Sequence, residues 1–205
     1  MFQYIFNYLY ANESARMIIK NNKFADFSYF MRESAYVYGT SGLLEIDSNE
    51  FIAPHGSIVN NSLSAQDAGS RILFTNNQST NDSRLYFYAN GDNATEYQVI
   101  IEDNQLSSSS TRTIYLNGSN ATEGRFLMKD NTLDTMRVSV SNAAKALIQG
   151  NTIKTSQSEY DASLRIHNSY AVVENNTIQD NKGVGIEVYA SFDYQAVKDT
   201  IRNNT

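Results

Sequence analysis

Along most of the chain, apolar residues alternate singly with polar ones in runs of four or five. That period of two predicts short strands with one buried face. The pattern is clearest at Leu85-Tyr-Phe-Tyr88, Ile114-Tyr-Leu-Asn117, Val138-Ser-Val-Ser141, Leu164-Arg-Ile-His167 and Ile186-Glu-Val-Tyr189. The inward set is then Leu85/Phe87, Ile114/Leu116, Val138/Val140, Leu164/Ile166 and Ile186/Val188. Helical periodicity is scarce.

Between these strands a hexad recurs: an apolar residue, two polar residues, Asn, a variable residue, and usually a second apolar residue. It reads Ile19-KNNK-Phe24, Ile46-DSNE-Phe51, Ile101-EDNQ-Leu106, Met128-KDNT-Leu133, Ile148-QGNT-Ile153 and Val173-ENNT-Ile178. Phe74-TNNQ-Ser79 is a degenerate copy, and Ile201-RNNT begins another. The anchoring residues are Asn22, Asn49, Asn77, Asn104, Asn131, Asn151, Asn176 and Asn204, spaced by 27, 28, 27, 27, 20, 25 and 28 residues. So steady a period marks a repeat architecture.

Each repeat reads as a period-2 strand, a polar turn, a second strand entering the hexad (Arg125-Phe-Leu-Met128, for example), and a sharp corner at the Asn. A third strand is expected to open two residues later. Three short strands per coil, stacked in register about 4.8 Å apart, make an all-β parallel β-helix, a β-solenoid of about eight coils. One domain is expected over residues 1–205, each coil being stabilised by its neighbours. Asn suits the corner because it tolerates left-handed backbone. Its carboxamide can also bond to the same group in the coils above and below, so the eight anchors are expected to form a structural ladder. A β-sandwich would explain the strands but not the hexad. A leucine-rich horseshoe lacks its consensus here, and helical solenoids fail on periodicity.

Solenoids need polar caps. The segment Phe2–Tyr10 already reads as a strand, without an amphipathic helix before the first hexad, and the last hexad stops at Thr205. The expectation is a fragment of a longer β-helix, or ends covered by an adjoining domain or another copy.

Composition narrows the chemistry. The 205 residues are 41% hydrophobic and 19% charged, with net charge −6, one Pro, and no Cys or Trp. Without Cys, a disulfide scaffold, a zinc-thiolate centre and a Cys nucleophile are excluded. The acidic balance argues against nucleic acid as partner, and the apolar runs are too short for membrane insertion. The opening FQYIFNYLY lacks the basic start and small-residue cleavage site of a signal peptide.

Segments such as YAVVENNTIQDNKGVGIEVYAS and KALIQGNTIKTS resemble the right-handed parallel β-helix repeats of the pectate-lyase-like superfamily, over nearly the whole chain. The resemblance implies a right-handed coil and a carbohydrate-associated role in an extracellular, cell-surface or periplasmic protein. It does not choose among lyases, hydrolases, epimerases, tailspikes and binding modules, which share the fold. The stretch Ser163-LRIHNSYAVVENNTIQ is similar to a coil of the chondroitinase B and alginate lyase family. That similarity would imply eliminative cleavage of uronic-acid polysaccharides by a Lys base and an Arg on adjacent coils, with calcium in many members. In strand register, however, His167 stands where that Arg belongs and Ser141 where the Lys belongs. The Asp-Asp and Gly-His-Gly motifs of polygalacturonases do not occur.

The outward residues of the period-2 strands should form two columns. One runs Tyr86, Tyr115, Ser139, Arg165, Glu187; the other runs Tyr88, Asn117, Ser141, His167, Tyr189. Tyrosine rings can stack on pyranose faces, and Asn, Arg and Glu can hold hydroxyls or carboxylates, on strands rigid enough to preorganise them. The candidate carbohydrate-binding set is therefore Tyr86, Tyr88, Tyr115, Asn117, Arg165, His167, Glu187 and Tyr189. The plainer alternative is that aromatic and β-branched residues simply suit exposed strands. Arg165, His167 and Glu187 form the one candidate acid/base cluster, since His titrates near neutrality. His55, in Ala53-Pro-His-Gly56, reads as a loop residue, and Gly183-Val-Gly185 as a turn.

No cofactor or resident metal is expected. Ca²⁺ is the one ion that Asp47 with Glu50, Asp92 with Glu96, or Glu159 with Asp161 could attract together with carbonyls. The leading expectation is a polysaccharide-binding domain, or the non-catalytic helix of a two-domain polysaccharide lyase. An active lyase or glycoside hydrolase using the outward face is the alternative. A structural spacer of a tailspike or adhesin, its columns shielded by trimerisation, is the second.

Overall fold

The computed structural model describes residues 2–52, 57–80, 84–91, 93–119, 123–155, 161–190 and 199–205. Among them are strands and no helix. Every strand pair is parallel, as a coil that returns once per repeat demands. Eight strands stack in one sheet: Arg16–Lys20, Leu43–Asp47, Arg71–Thr75, Val99–Glu102, Arg125–Lys129, Lys145–Gln149, Ala171–Glu174 and Thr200–Arg202. These are the strands that lead into the hexads. A 13-stranded sheet combines the short corner strands after each anchor with the period-2 strands of the outer face. Phe2–Phe6 pairs with Phe27–Met31 in a separate two-stranded sheet, and Leu9–Ala11 pairs with Ala35–Val37, so the opening segment already lies in the stack. Complete three-strand turns are slightly fewer than the eight expected, because no described strand follows Thr200–Arg202.

Two local expectations are corrected. Corner strands open on the residue directly after the anchor (Lys23–Ala25, Glu50–Ile52, Gln78–Thr80), not two later. In two coils the corner and face strands fuse into Gln105–Gly118 and Thr132–Ser141. Their pairing slips between Ser107 and Arg112, where the longer coil bulges to absorb the residues its 20-residue neighbour lacks.

The ladder is continuous from Asn22 to Asn204. Asn104, fully buried, illustrates the unit. Its Nδ2 donates to the Phe74 carbonyl of the preceding coil (2.8 Å), to the Glu102 carbonyl (3.0 Å) and to Oδ1 of Asn131 in the following coil (2.8 Å). Its Oδ1 accepts from the backbone N–H of Asn77 (2.9 Å) and from Asn77 Nδ2 (3.1 Å). The same links repeat through Asn131, Asn151 and Asn176 to Asn204.

The left-handed residue at each corner is the one before the anchor, not the anchor itself: Asn21, Ser48, Asn76, Asp103, Asp130, Gly150, Asn175 and Asn203 all have φ between 53° and 67°. The anchor's side chain is committed inward, so the turn falls to the preceding residue, nearly always exposed, where short polar side chains or Gly accept positive φ.

The interior is filled by the expected inward set, from Leu85 and Phe87 to Leu164 and Ile166, all but fully buried. At the degenerate hexad Ser79 stands in register with Phe51. There Phe74 comes across from the neighbouring sheet to stack 6.4 Å from Phe51, which itself stacks on Phe24 at 5.5 Å. Val188 points inward but is 40% exposed, since no described strand covers Ile186–Tyr189.

The ladder yields a position-dependent expectation. Asn104→Ala strands the Phe74 carbonyl and the Asn77 N–H inside the protein, each worth about 1–3 kcal/mol when unsatisfied. Asn22→Ala, at the exposed end, should cost about 1 kcal/mol or less. Urea unfolding midpoints of the two variants test the difference; equal losses would mean that the ladder's interior carries no special weight.

Candidate functional site

The outer face of the period-2 strands carries both expected columns in the expected register. Tyr86 pairs with Tyr115, Tyr115 with Ser139, Ser139 with Arg165 and Arg165 with Glu187. Tyr88, Asn117, Ser141, His167 and Tyr189 follow in the second column.

Stacking at one-coil spacing brings like rings together. Tyr86 and Tyr115 lie parallel with centroids 4.1 Å apart, and His167 stacks on Tyr189 at 4.2 Å. Burial pushes the Tyr86 phenol above its ordinary value, and the neighbouring Tyr115 adds to the rise. Tyr88 is half-buried beside them, and Asn117 turns its amide toward the Ser141 carbonyl (3.2 Å).

Of the three candidate catalytic groups, two meet and the third stands apart. Arg165 Nε donates to Glu187 Oε2 at 2.6 Å, closing an ion pair in which both side chains are about 40% exposed. His167 sits in the other column with its ring against Tyr189. What gathers at Arg165 instead is a small depression of about 130 Å³ lined by Tyr115, Arg137, Ser139, Asp161 and Arg165. Arg137 is ion-paired there with Asp161, while its Nε is buried with no acceptor among the described residues.

A second aromatic group was not picked out from the sequence. Tyr8, Tyr10, Tyr36 and Tyr38 form a continuous cluster on the first coils, with centroid separations of 6.3 Å (Tyr8–Tyr10), 5.8 Å (Tyr8–Tyr36), 5.1 Å (Tyr10–Tyr38) and 6.2 Å (Tyr36–Tyr38). Tyr10 and Tyr36 occupy the same column as Tyr88, one coil apart. Tyr8 and Tyr10 are about half exposed. Burial raises the Tyr38 phenol above its ordinary value, followed by the effect of the other three tyrosines and Asp67. Beside the cluster lies an amide pair, Asn90 to Gln66 at 2.9 Å, with Asn90 Oδ1 buried and without a partner among the described residues. The signal that could have found the cluster is the alternation Tyr8-Leu-Tyr10 and Tyr36-Val-Tyr38, the same period-2 pattern as the later strands.

The acidic pairs behave as solvated or ion-paired charge where they are described. Asp47 accepts from Thr75 (2.7 Å), Asn76 (2.9 Å) and Ser48 (3.1 Å) and lies 3.5 Å from Lys20, while Glu50 pairs with Lys23 at 2.9 Å. Burial alone would push the Asp47 carboxyl up; those hydrogen bonds and the Lys20 charge hold it below the usual carboxylate range. His55, Asp92 and Glu159 lie outside the described residues. Among the described residues no group of three or more His, Asp or Glu gathers to hold a metal ion.

Residues 67–205 match the family model for a right-handed β-helix region. No curated protein and no solved structure matches the chain.

Two measurements probe this electrostatic picture. Tyr86 and Tyr38 should ionise late in an alkaline titration followed in the near-ultraviolet, and Tyr115→Phe should bring the Tyr86 step to lower pH. Because the folded Asp47 carboxyl is depressed, its stabilisation is present above the ordinary value of 3.8 and is lost as the pH falls through the folded value. Asp47→Asn should therefore lower stability at neutral pH and flatten the acid limb of a stability profile measured by urea unfolding.

Proposed function

The chain belongs to the right-handed β-helix family, and on that premise we propose that it is a carbohydrate-associated domain whose tyrosine-bearing face binds polysaccharide without cleaving it. One observation carries the reading: flat aromatic groups recur along a single outer face of a rigid parallel sheet, as the Tyr8/Tyr10/Tyr36/Tyr38 cluster, the Tyr86–Tyr115 stack and the His167–Tyr189 stack. A pyranose ring presents an apolar C–H face that packs on such surfaces, and a sugar polymer could cross several platforms at once. Polar groups stand near the platforms, among them Asn90 Oδ1 and Arg137 Nε, both without a hydrogen-bond partner among the described residues.

The non-catalytic half of the reading rests on Arg165 and Glu187, which neutralise each other, and on His167, whose ring is occupied by Tyr189. General acid/base work needs a group within hydrogen-bond reach of the reacting proton and free to exchange it. Such a domain would work outside the cell or in the periplasm, where polysaccharides are met.

A glycan array followed by titration of the best ligand tests this. Tyr8→Ala with Tyr10→Ala, or Tyr86→Ala with Tyr115→Ala, should weaken binding about tenfold, given roughly 0.5–1.5 kcal/mol per aromatic contact. Unchanged affinity in both double variants would sink the binding face. Unsaturated uronate appearing on incubation with acidic glycans would replace it with lyase activity, and trimers without glycan binding would favour the spacer.

A further inference from the structure

Tyr86 and Tyr115 face each other in register on adjacent parallel strands. Their rings are 13° from parallel with centroids 4.1 Å apart, and the Tyr115 phenol is close enough to hydrogen-bond that of Tyr86. Rings that share register, tilt and hydroxyl position are nearly eclipsed. The ortho carbons, next to the hydroxyl-bearing carbon, therefore lie over one another at about the ring spacing. Ser139 follows Tyr115 in the column, so the stack stops at two rings on that side. No pair in the four-tyrosine cluster is matched so well. Its closest, Tyr10 and Tyr38, is 5.1 Å apart and tilted by 37°.

The composition bears on what such a pair can do. The chain has 14 Tyr but no Cys and no Trp. With thiol and indole both absent, tyrosine is the side chain from which a one-electron oxidant draws most readily. Methionine takes up oxygen from peroxide instead, and Met31, Met128 and Met136 are fully buried. Tyr86 and Tyr115 are only half-buried.

We infer that Tyr86 and Tyr115 form a modification site, at which a peroxidase-class one-electron oxidant couples the two rings into a dityrosine that staples adjacent coils together. Each phenol gives up one electron and one proton, leaving a phenoxyl radical with spin on its ortho carbons. The two radicals pair to form one C–C bond between those carbons. Each bonded carbon then loses its hydrogen as a proton while its ring oxygen gains one, which restores both phenols. Hydrogen peroxide takes up the two electrons and two protons and leaves as two waters. Such a staple does for this chain what a disulfide does where Cys is present: it closes a loop and restricts the unfolded chain. It also secures an irregular part of the stack, because Tyr115 belongs to the coil that bulges between Ser107 and Arg112. The inference stands apart from the glycan-binding reading and needs no sugar.

The experiment treats dilute protein with a haem peroxidase and limiting hydrogen peroxide, then digests it with trypsin. Cleavage after Arg84, Arg112 and Arg125 places Tyr86 in peptide 85–112 and Tyr115 in peptide 113–125, where it is the sole tyrosine. The oxidised protein should stay monomeric, show dityrosine fluorescence, and yield these two peptides joined, two hydrogens lighter than their sum. Tyr86→Phe and Tyr115→Phe keep the ring stack, as circular dichroism of each variant checks, and each should lower the yield of the joined species about tenfold or more. Tyr38→Phe should leave it unchanged. The linked protein should melt roughly 5 °C higher or more. An absence of dityrosine, dityrosine that maps to other pairs or forms only between molecules, an undiminished yield in either of the first two variants, or an unchanged melting temperature overturns the staple. Loss of glycan binding would leave all of these readouts where they are.

Discussion

A buried carboxamide has two N–H donors and two acceptor positions, and leaving any of them unpaired inside a protein is costly. In this fold every interior anchor meets that demand with the coils on either side of it, as Asn104 does with Phe74, Asn77 and Asn131. A slip of one residue at any corner would break several of these bonds at once. The ladder therefore fixes the vertical register of the whole stack. Variation in coil length, from 20 to 28 residues between anchors, is taken up away from the ladder, in turns and in the bulge between Ser107 and Arg112.

Register at the corner fixes register on the face. Because Leu85, Ile114, Val138 and Leu164 stack inward, Tyr86, Tyr115, Ser139 and Arg165 stack outward at the same interval. A side chain on this surface is thus placed by packing several residues away rather than by its own contacts. Rigid placement of that kind suits a linear polymer whose own groups recur at intervals.

The sequence made the ladder and both columns legible for one reason: each is a periodic demand repeated coil after coil, and repetition separates it from chance. Features that depend on a single coil were hidden. The left-handed residue could have been the anchor or its neighbour, and only the inward commitment of the Asn side chain decides for Asn21, Ser48 and their successors. The fusion of strands in Gln105–Gly118 depends on turn length. The Tyr8–Tyr38 cluster escaped because the two Tyr-x-Tyr pairs are offset by two residues when the coils stack, Tyr36 lying over Tyr10 rather than over Tyr8. That offset is set by the intervening turns. The Arg165–Glu187 pair was visible as a column, but the resulting neutralisation became plain only at 2.6 Å.

Stacking identical positions has an electrostatic hazard, since like charges directly opposite each other on adjacent strands repel. The chain meets it in two ways. In three columns a cation stands over an anion one coil away: Lys23 over Glu50, Glu102 over Lys129, Arg165 over Glu187, Glu174 over Arg202. Exposed pairs of this kind contribute at most about 1 kcal/mol each, so their main effect is to let charged residues stack at all. At the head of the eight-stranded sheet the solution differs. Leu43 separates Arg16 from Arg71, which lowers their mutual repulsion without neutralising either. Farther along the same sheet Arg125 lies directly opposite Lys145, and there the like charges do stack, with the Lys145 ammonium resting 5.1 Å over the Tyr97 ring.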